Sequence, residues 1–268
     1  MANRIDETFA ALRSAGRKAF MPFITAGDPD LETTAALVRD LAHRGASLIE
    51  LGLPYSDPVA DGPTIQASYT RALGGGVRLD DIFRMVRDLR ADCDVPITAM
   101  GSFSLVTRRG VTRFLDDARE AGIDGLIIPD LSLEEYDDVA AAADQRQLAH
   151  IMLVAPTSPW DRAARLAERS TGFVYYVSVT GITGERKELP PELADRVAKL
   201  REATGVPVCV GFGISMPEQV HLVTRVADGA IVGSAIVRRI GDMAARPREE
   251  IVEAVGEYAS ALIAALPR

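Results

Sequence analysis

Cysteine is scarce. Two residues, Cys93 and Cys209, in a chain of 268 cannot build a disulfide scaffold. Long apolar runs are missing too. Charge-free stretches such as 203–217 reach about 15 residues and are broken by Gly and Pro, short of the roughly 18 that a membrane span needs. The opening MANRIDETF holds no apolar signal region. A reducing, cytoplasmic location is the expectation. Basic blocks are absent as well. Lys and Arg number 30 against 38 Asp and Glu, a net charge of −8. Neither nucleic acid nor an anionic membrane would find a footprint to attract it. The three histidines are scattered, and Glu218-x-x-His221 has no second copy, so no metal site is expected. No lysine stands alone in a strand where a Schiff base would form.

What is present is ordinary for a soluble globular protein. The apolar share is 47% and the charged share 25%, and the length suffices for a full core. Short apolar runs rich in Val, Ile and Phe, bounded by Gly or Pro, predict strands over 20–25, 47–52, 97–100, 125–128, 150–154, 173–177, 207–210 and 229–232. Amphipathic stretches between them predict helices over 31–44, 112–121, 133–147, 191–203, 216–225 and about 248–265, with Ser215 as an N-cap. A doubly wound open sheet is the rival arrangement. It usually has fewer strands and a G-x-G-x-x-G turn after the first, whereas here Thr25-Ala26-Gly27-Asp28-Pro29 follows. Eight strand–helix units therefore predict an α/β fold: a single-domain (β/α)8 TIM barrel over 1–268, with an extra N-terminal helix at 4–14 and an extra helix after strand two.

In such barrels chemistry sits at the C-terminal ends of the strands. Strand two carries Glu50 there, on the same face as Leu48 and Gly52, with no cation beside it in sequence. Burial without a cation raises a carboxyl pKa and suits a general acid or base; a glutamate bonded to the next strand is an equally fair reading of position alone. The loop beyond it holds Asp61, either a second acid in the same pocket or an N-cap for the helix after Gly62-Pro63. Glycines follow strand seven (Gly211, Gly213) and strand eight (Gly233, then Ser234 opening a helix). Backbone N–H groups and a helix N-terminus there suit a phosphate. A third glycine stretch at 178–189 reads as a mobile lid that adds Gly184.

The chain resembles the tryptophan synthase α-subunit family. The segments that carry the resemblance are PFITAGDPD (22–30), IELGLPYSDPVADGPTIQ (49–66), GLIIPDLSLEE (125–135), YYVSVTGITGER (175–186), VGFGIS (210–215) and IVGSAIV (231–237). The resemblance implies a lyase that performs a cofactor-free retro-aldol cleavage of indole-3-glycerol phosphate to indole and glyceraldehyde 3-phosphate. It implies that Glu50 transfers protons and that Asp61 binds the indole N–H. It gives Phe23 and Phe212 as aromatic walls, Tyr175 and Thr183 as pocket and lid residues, and Gly184, Gly211, Gly213, Gly233 and Ser234 as the phosphate site. It also implies a β-subunit partner in an α2β2 assembly, with pyridoxal phosphate in that partner alone. Ser102, Ser104 and Ser132 depart from the family pattern and bear mainly on the partner contact. Two further readings stay open: a stand-alone lyase that releases free indole, and a non-catalytic regulatory subunit.

Overall fold

A computed structural model describes residues 3–59, 61–177, 192–211 and 213–267. Nine parallel strands form one sheet: β1 (Ala19–Thr25), β2 (Ile49–Gly52), β3 (Ile97–Met100), β4 (Gly125–Ile127), β5 (Ala149–Ile151), β6 (Leu153–Val154), β7 (Val174–Val177), β8 (Val208–Gly211) and β9 (Gly229–Val232). Their order is β5-β4-β3-β2-β1-β9-β8-β7-β6. The two edges, β5 and β6, are consecutive in the chain and separated by Met152 alone, so the ring closes through covalent backbone. The single strand expected over 150–154 is thus two pieces. Met152 N donates to Ser170 Oγ at 3.0 Å instead of to a strand, while its carbonyl accepts from Tyr175 N at 3.0 Å. Eight staves result, as the sequence suggests.

The helices surround them. The expected extra helices are α1 (Arg4–Ser14), before β1, and the pair α3 (Pro63–Gly74) and α4 (Leu79–Leu89), between β2 and β3. A second pair, α5 (Phe103–Arg109) and α6 (Val111–Ala121), follows β3 where the sequence reading had only one helix. Gly110, at φ +88, separates α5 from α6, the helix expected over 112–121. The remaining helices are α2 (Leu31–His43), α7 (Leu133–Asp144), α8 (Trp160–Arg169), α9 (Leu193–Ala203), α10 (Pro217–Thr224), α11 (Ser234–Asp242) and α12 (Arg248–Ala264). The N-cap of α10 is Met216, not Ser215. Gln219 reaches back to accept from the N–H groups of both, at 2.8 Å and 3.0 Å, the N3 half of a capping box.

Strand periodicity divides the core in two. One face of each strand, with Phe20, Ile24, Ile49, Leu51, Val208 and Val210, packs outward against the helices. The other face fills the barrel with Met21, Phe23, Leu48, Met100, Ile127, Phe173, Tyr175 and Ile231. At the N-terminal end α1 closes the barrel by burying Ile5 and Phe9 in that inner cluster. Arg4 pins it to Asp124 at 2.9 Å, and Asn3 Nδ2 donates to the Gln147 carbonyl at 2.9 Å. α1 thus covers the N-terminal end of the barrel.

Candidate active site

Among the described residues three carboxyl groups are almost wholly buried: Asp28 and Asp124 at 1% exposure and Glu50 at 2%. Two of them are neutralised. Asp124 meets Arg4 at 2.9 Å and Arg90 at 3.0 Å, and accepts from Ile97 N at 2.9 Å. Asp28 takes a two-pronged bond from Arg71, at 2.8 Å on each oxygen. Glu50 has nothing of the kind. Its Oε1 has no hydrogen-bond partner among the described residues. A buried carboxyl that no cation meets holds its proton. Burial first, and then the charge of Asp61, raise the pKa of Glu50 from 4.5 to about 8. A strand–strand hydrogen bond, the structural role that position alone allows, is not what this side chain makes.

Register places Glu50 among the residues that matter. It pairs with Phe23 of β1 on one side and Thr98 of β3 on the other. Phe23 is buried, and its ring fills the space over Gly52: a Cβ there would lie 2.4 Å from Phe23 Cζ. Tyr175 comes from the other half of the barrel. It is fully buried, and burial, then Glu50 and Asp61, push its phenol pKa up. The two acids and Tyr175 therefore share one electrostatic neighbourhood.

Asp61 is not the cap of α3. Gly62 occupies that position without a side-chain bond, and Pro63 opens the helix. The Asp61 carboxylate is left for the site. It accepts from Tyr55 Oη at 3.4 Å, and its backbone carbonyl accepts from Gln66 Nε2 at 2.7 Å. Burial raises its pKa from 3.8 to about 6, against the lowering effect of the Tyr55 bond. Two acids on one β2–α3 segment thus titrate on either side of neutrality, a way of dividing acid and base roles.

The glycine loops lie side by side, because β8 pairs with β9 through Val210 and Ala230. Gly213 holds φ +78, a conformation that only glycine adopts cheaply. Gly233 caps α11 and Ser234 opens it. The Gly233 carbonyl accepts from Ile236 N at 2.8 Å and Val237 N at 3.0 Å. The N–H groups of the first turn have no partner inside the helix and face whatever lies beyond it. Gly211 has a further reason to be glycine. A Cβ there would lie 2.4 Å from Tyr175 Oη, so the Tyr175 ring occupies that space. Phe212, Thr183 and Gly184, and the lid at 178–189, lie outside the described residues.

Sequence reasoning missed Tyr55, Tyr69 and Asp130. Tyr55 and Tyr69 pack against each other near Asp61, tilted at 58° with ring centroids 5.4 Å apart. Asp130 accepts from Ser102 Oγ at 2.7 Å, which gives the departing serine a partner. An aromatic in a proline-rich loop carries no periodic signal; only its position opposite a carboxylate marks it.

The family model described as "Tryptophan synthase alpha chain" matches residues 9–265. A tryptophan synthase alpha chain of Rhodopirellula baltica is 45% identical, covering 96% of this chain and 96% of that protein. One of Geobacter sulfurreducens is 50% identical, covering 88% and 89%. Among solved structures, tryptophan synthase subunit alpha from Legionella pneumophila superposes with a TM-score of 0.89 at 35% identity, covering 99% of this chain and 98% of that one. A chain of Mycobacterium tuberculosis tryptophan synthase superposes at 0.87 with 34% identity, covering 98% and 99%.

Proposed function

The chain belongs to the tryptophan synthase alpha chain family, a family of lyases that cleave indole-3-glycerol phosphate in tryptophan biosynthesis, and from that premise we propose how its own residues do so. The observation that carries the reading is a buried, unpaired Glu50 that keeps its proton at neutral pH beside an Asp61 that gives its proton up.

Glu50 begins as the acid. It protonates C3 of the indole ring, and positive charge develops at the ring nitrogen. Asp61, as carboxylate, accepts a hydrogen bond from that N–H and stabilises the charge. The bond between C3 and the hydroxyl-bearing carbon then breaks, and its electron pair returns to the ring as neutral indole. The hydroxyl proton passes to the Glu50 carboxylate as the aldehyde forms. Glu50 ends protonated, ready for the next turnover, and the proton count balances. Every step is a proton transfer or an assisted bond cleavage, so the proposed reaction asks no cofactor of this chain.

Phe23 forms one wall for the indole, with Phe212 as the other, and Tyr175 fills the floor between Glu50 and Gly211. The phosphate sits on the N–H groups of Gly213, Gly233 and Ser234, joined by Gly211 and by Thr183 and Gly184 of the lid. It draws its stabilisation from a helix end rather than from net charge, which at −8 would repel it. That remote binding energy positions the reacting bond. The whole chain acts as one barrel domain. A β-subunit partner goes with the family; we take the assembly to be α2β2, in the cytoplasm, with pyridoxal phosphate held by the partner alone.

The test is indole release from indole-3-glycerol phosphate by the parent, Glu50→Gln and Asp61→Asn chains, each with and without a β subunit. Loss of turnover in both variants with the fold retained is expected. Normal turnover in Glu50→Gln refutes the assignment. Strong turnover of the parent without a β subunit would favour the stand-alone lyase.

A further inference from the structure

We propose that Tyr55 is the positioning residue of the acid pair: its hydroxyl holds the Asp61 carboxylate in place and in its charged form. The proposal rests on the reading of Asp61 given above.

Tyr55 lies in the Pro-rich loop between β2 and α3, half-buried, with Oη 3.4 Å from Asp61 Oδ2. Tyr55 is the side chain that donates to this carboxylate, and no Lys or Arg pairs with it among the described residues. Two carboxylates bear on the phenol, Asp61 and Asp130. Asp130 is already engaged: Ser102 Oγ donates to its Oδ2 at 2.7 Å and Phe103 N to its Oδ1 at 2.7 Å. A tyrosine has one proton to donate, so it goes to Asp61. Burial and the two carboxylates push the Tyr55 pKa up, so the proton is never lost in the working range.

The ring is fixed from behind. Tyr55 packs on Tyr69 of α3 at 5.4 Å and 58°, and Tyr69 is itself 2% exposed. Aromatic packing of this kind holds a hydroxyl at one place at little entropic cost. Among the described residues, the ionisable groups that bear on Asp61 are Tyr55 from its own loop, Glu50 from β2, Tyr69 from α3 and Tyr175 from β7. Of these, Tyr55 is the one whose bond favours the charged form of Asp61. With no cation paired to Asp61 among the described residues, that bond is what offsets burial and raises the share of carboxylate near pH 6.

The experiment is the pH profile of kcat/KM for indole release, from pH 5 to 9, by the full-length parent and Tyr55→Phe chains. Phenylalanine keeps the ring on Tyr69 and removes only the oxygen. The acid limb should move up by about one pH unit, so the variant falls about 10-fold at pH 5, about 5-fold at pH 6 and under about 2-fold at pH 8. A profile that superimposes on the parent's overturns the proposal, and so does an equal loss at every pH, which is what lost packing gives. If Tyr55→Phe does not fold, Tyr55→Leu lacks the same hydroxyl and must show the same displacement. Asp61→Asn separates the two ideas. An active Asp61→Asn overturns the role of Asp61 and this proposal with it. An inactive Asp61→Asn beside an unmoved Tyr55→Phe profile overturns this proposal alone.

Discussion

Glu50 should make the protein less stable than it could be, by an amount that grows with pH. An unfolded glutamate titrates near 4.5, while Glu50 in the folded chain titrates near 8. The folded state therefore binds more protons than the unfolded state between these values, and stability falls as pH rises through that window. From 4.5 to pH 7 is about 2.5 pH units, each worth about 1.36 kcal/mol, so the cost at pH 7 is about 3 kcal/mol. Glu50→Gln keeps the shape and removes the titration. It should be stabilising by under about 1 kcal/mol at pH 5, where the parent glutamate is protonated in the fold and only partly ionised in the unfolded chain, and by about 3 kcal/mol at pH 7. For a chain of this size that is a rise in Tm of roughly 6–12 °C. The assay is a pair of thermal melts, parent and variant, at pH 5, 7 and 8, with the difference taken at each pH so that all other groups cancel. The same variant should have lost turnover, because the unpaired acid that weakens the fold is the acid the reaction uses. A Tm difference that stays at zero across the range, or one equally large at pH 5, refutes the argument that Glu50 is held protonated by burial.

The activity itself should be bell-shaped. As pH falls through about 6 Asp61 loses its charge, and as pH rises through about 8 Glu50 loses its proton, so kcat/KM should drop about 10-fold by pH 5 and by pH 9; a rate still climbing at pH 9 contradicts the assignment of Glu50 as the initial acid. Gly211→Ala brings a Cβ to 2.4 Å from Tyr175 Oη and should cost about 1–3 kcal/mol by overpacking, read as a lower Tm, together with lost turnover; Tyr175→Leu in the same chain should recover the stability but not the turnover. Ser234→Ala should raise KM for indole-3-glycerol phosphate severalfold and leave kcat nearly unchanged, and inorganic phosphate should compete with substrate in the parent; a change confined to kcat would remove Ser234 from phosphate binding. Arg71→Met leaves Asp28, at 1% exposure, without its cation and should lower stability by about 3 kcal/mol, measured by urea unfolding.

The sequence by itself determined whatever depends on neighbours a few residues away. Alternation in the strands put Glu50 on the inward face with Leu48 and Gly52, and the spacing of Leu37, Val38 and Leu41 turned one side of α2 to the sheet. Glycines at 213 and 233 marked the turns after β8 and β9. Those signals are local, because side-chain direction and backbone strain are set within one or two turns of chain. The state of each buried acid was decided only by the tertiary structure. Asp124 is met by an arginine 120 residues away, Asp28 by one 43 residues away, and Glu50 by none among the described residues. The same holds for Asp61, whose two possible roles stayed open in sequence; in the fold Gly62 takes the cap and leaves its carboxylate to Tyr55. A buried charge responds to every group within a few ångströms, whichever part of the chain supplies it, and closing the barrel is what brings those groups together or keeps them apart.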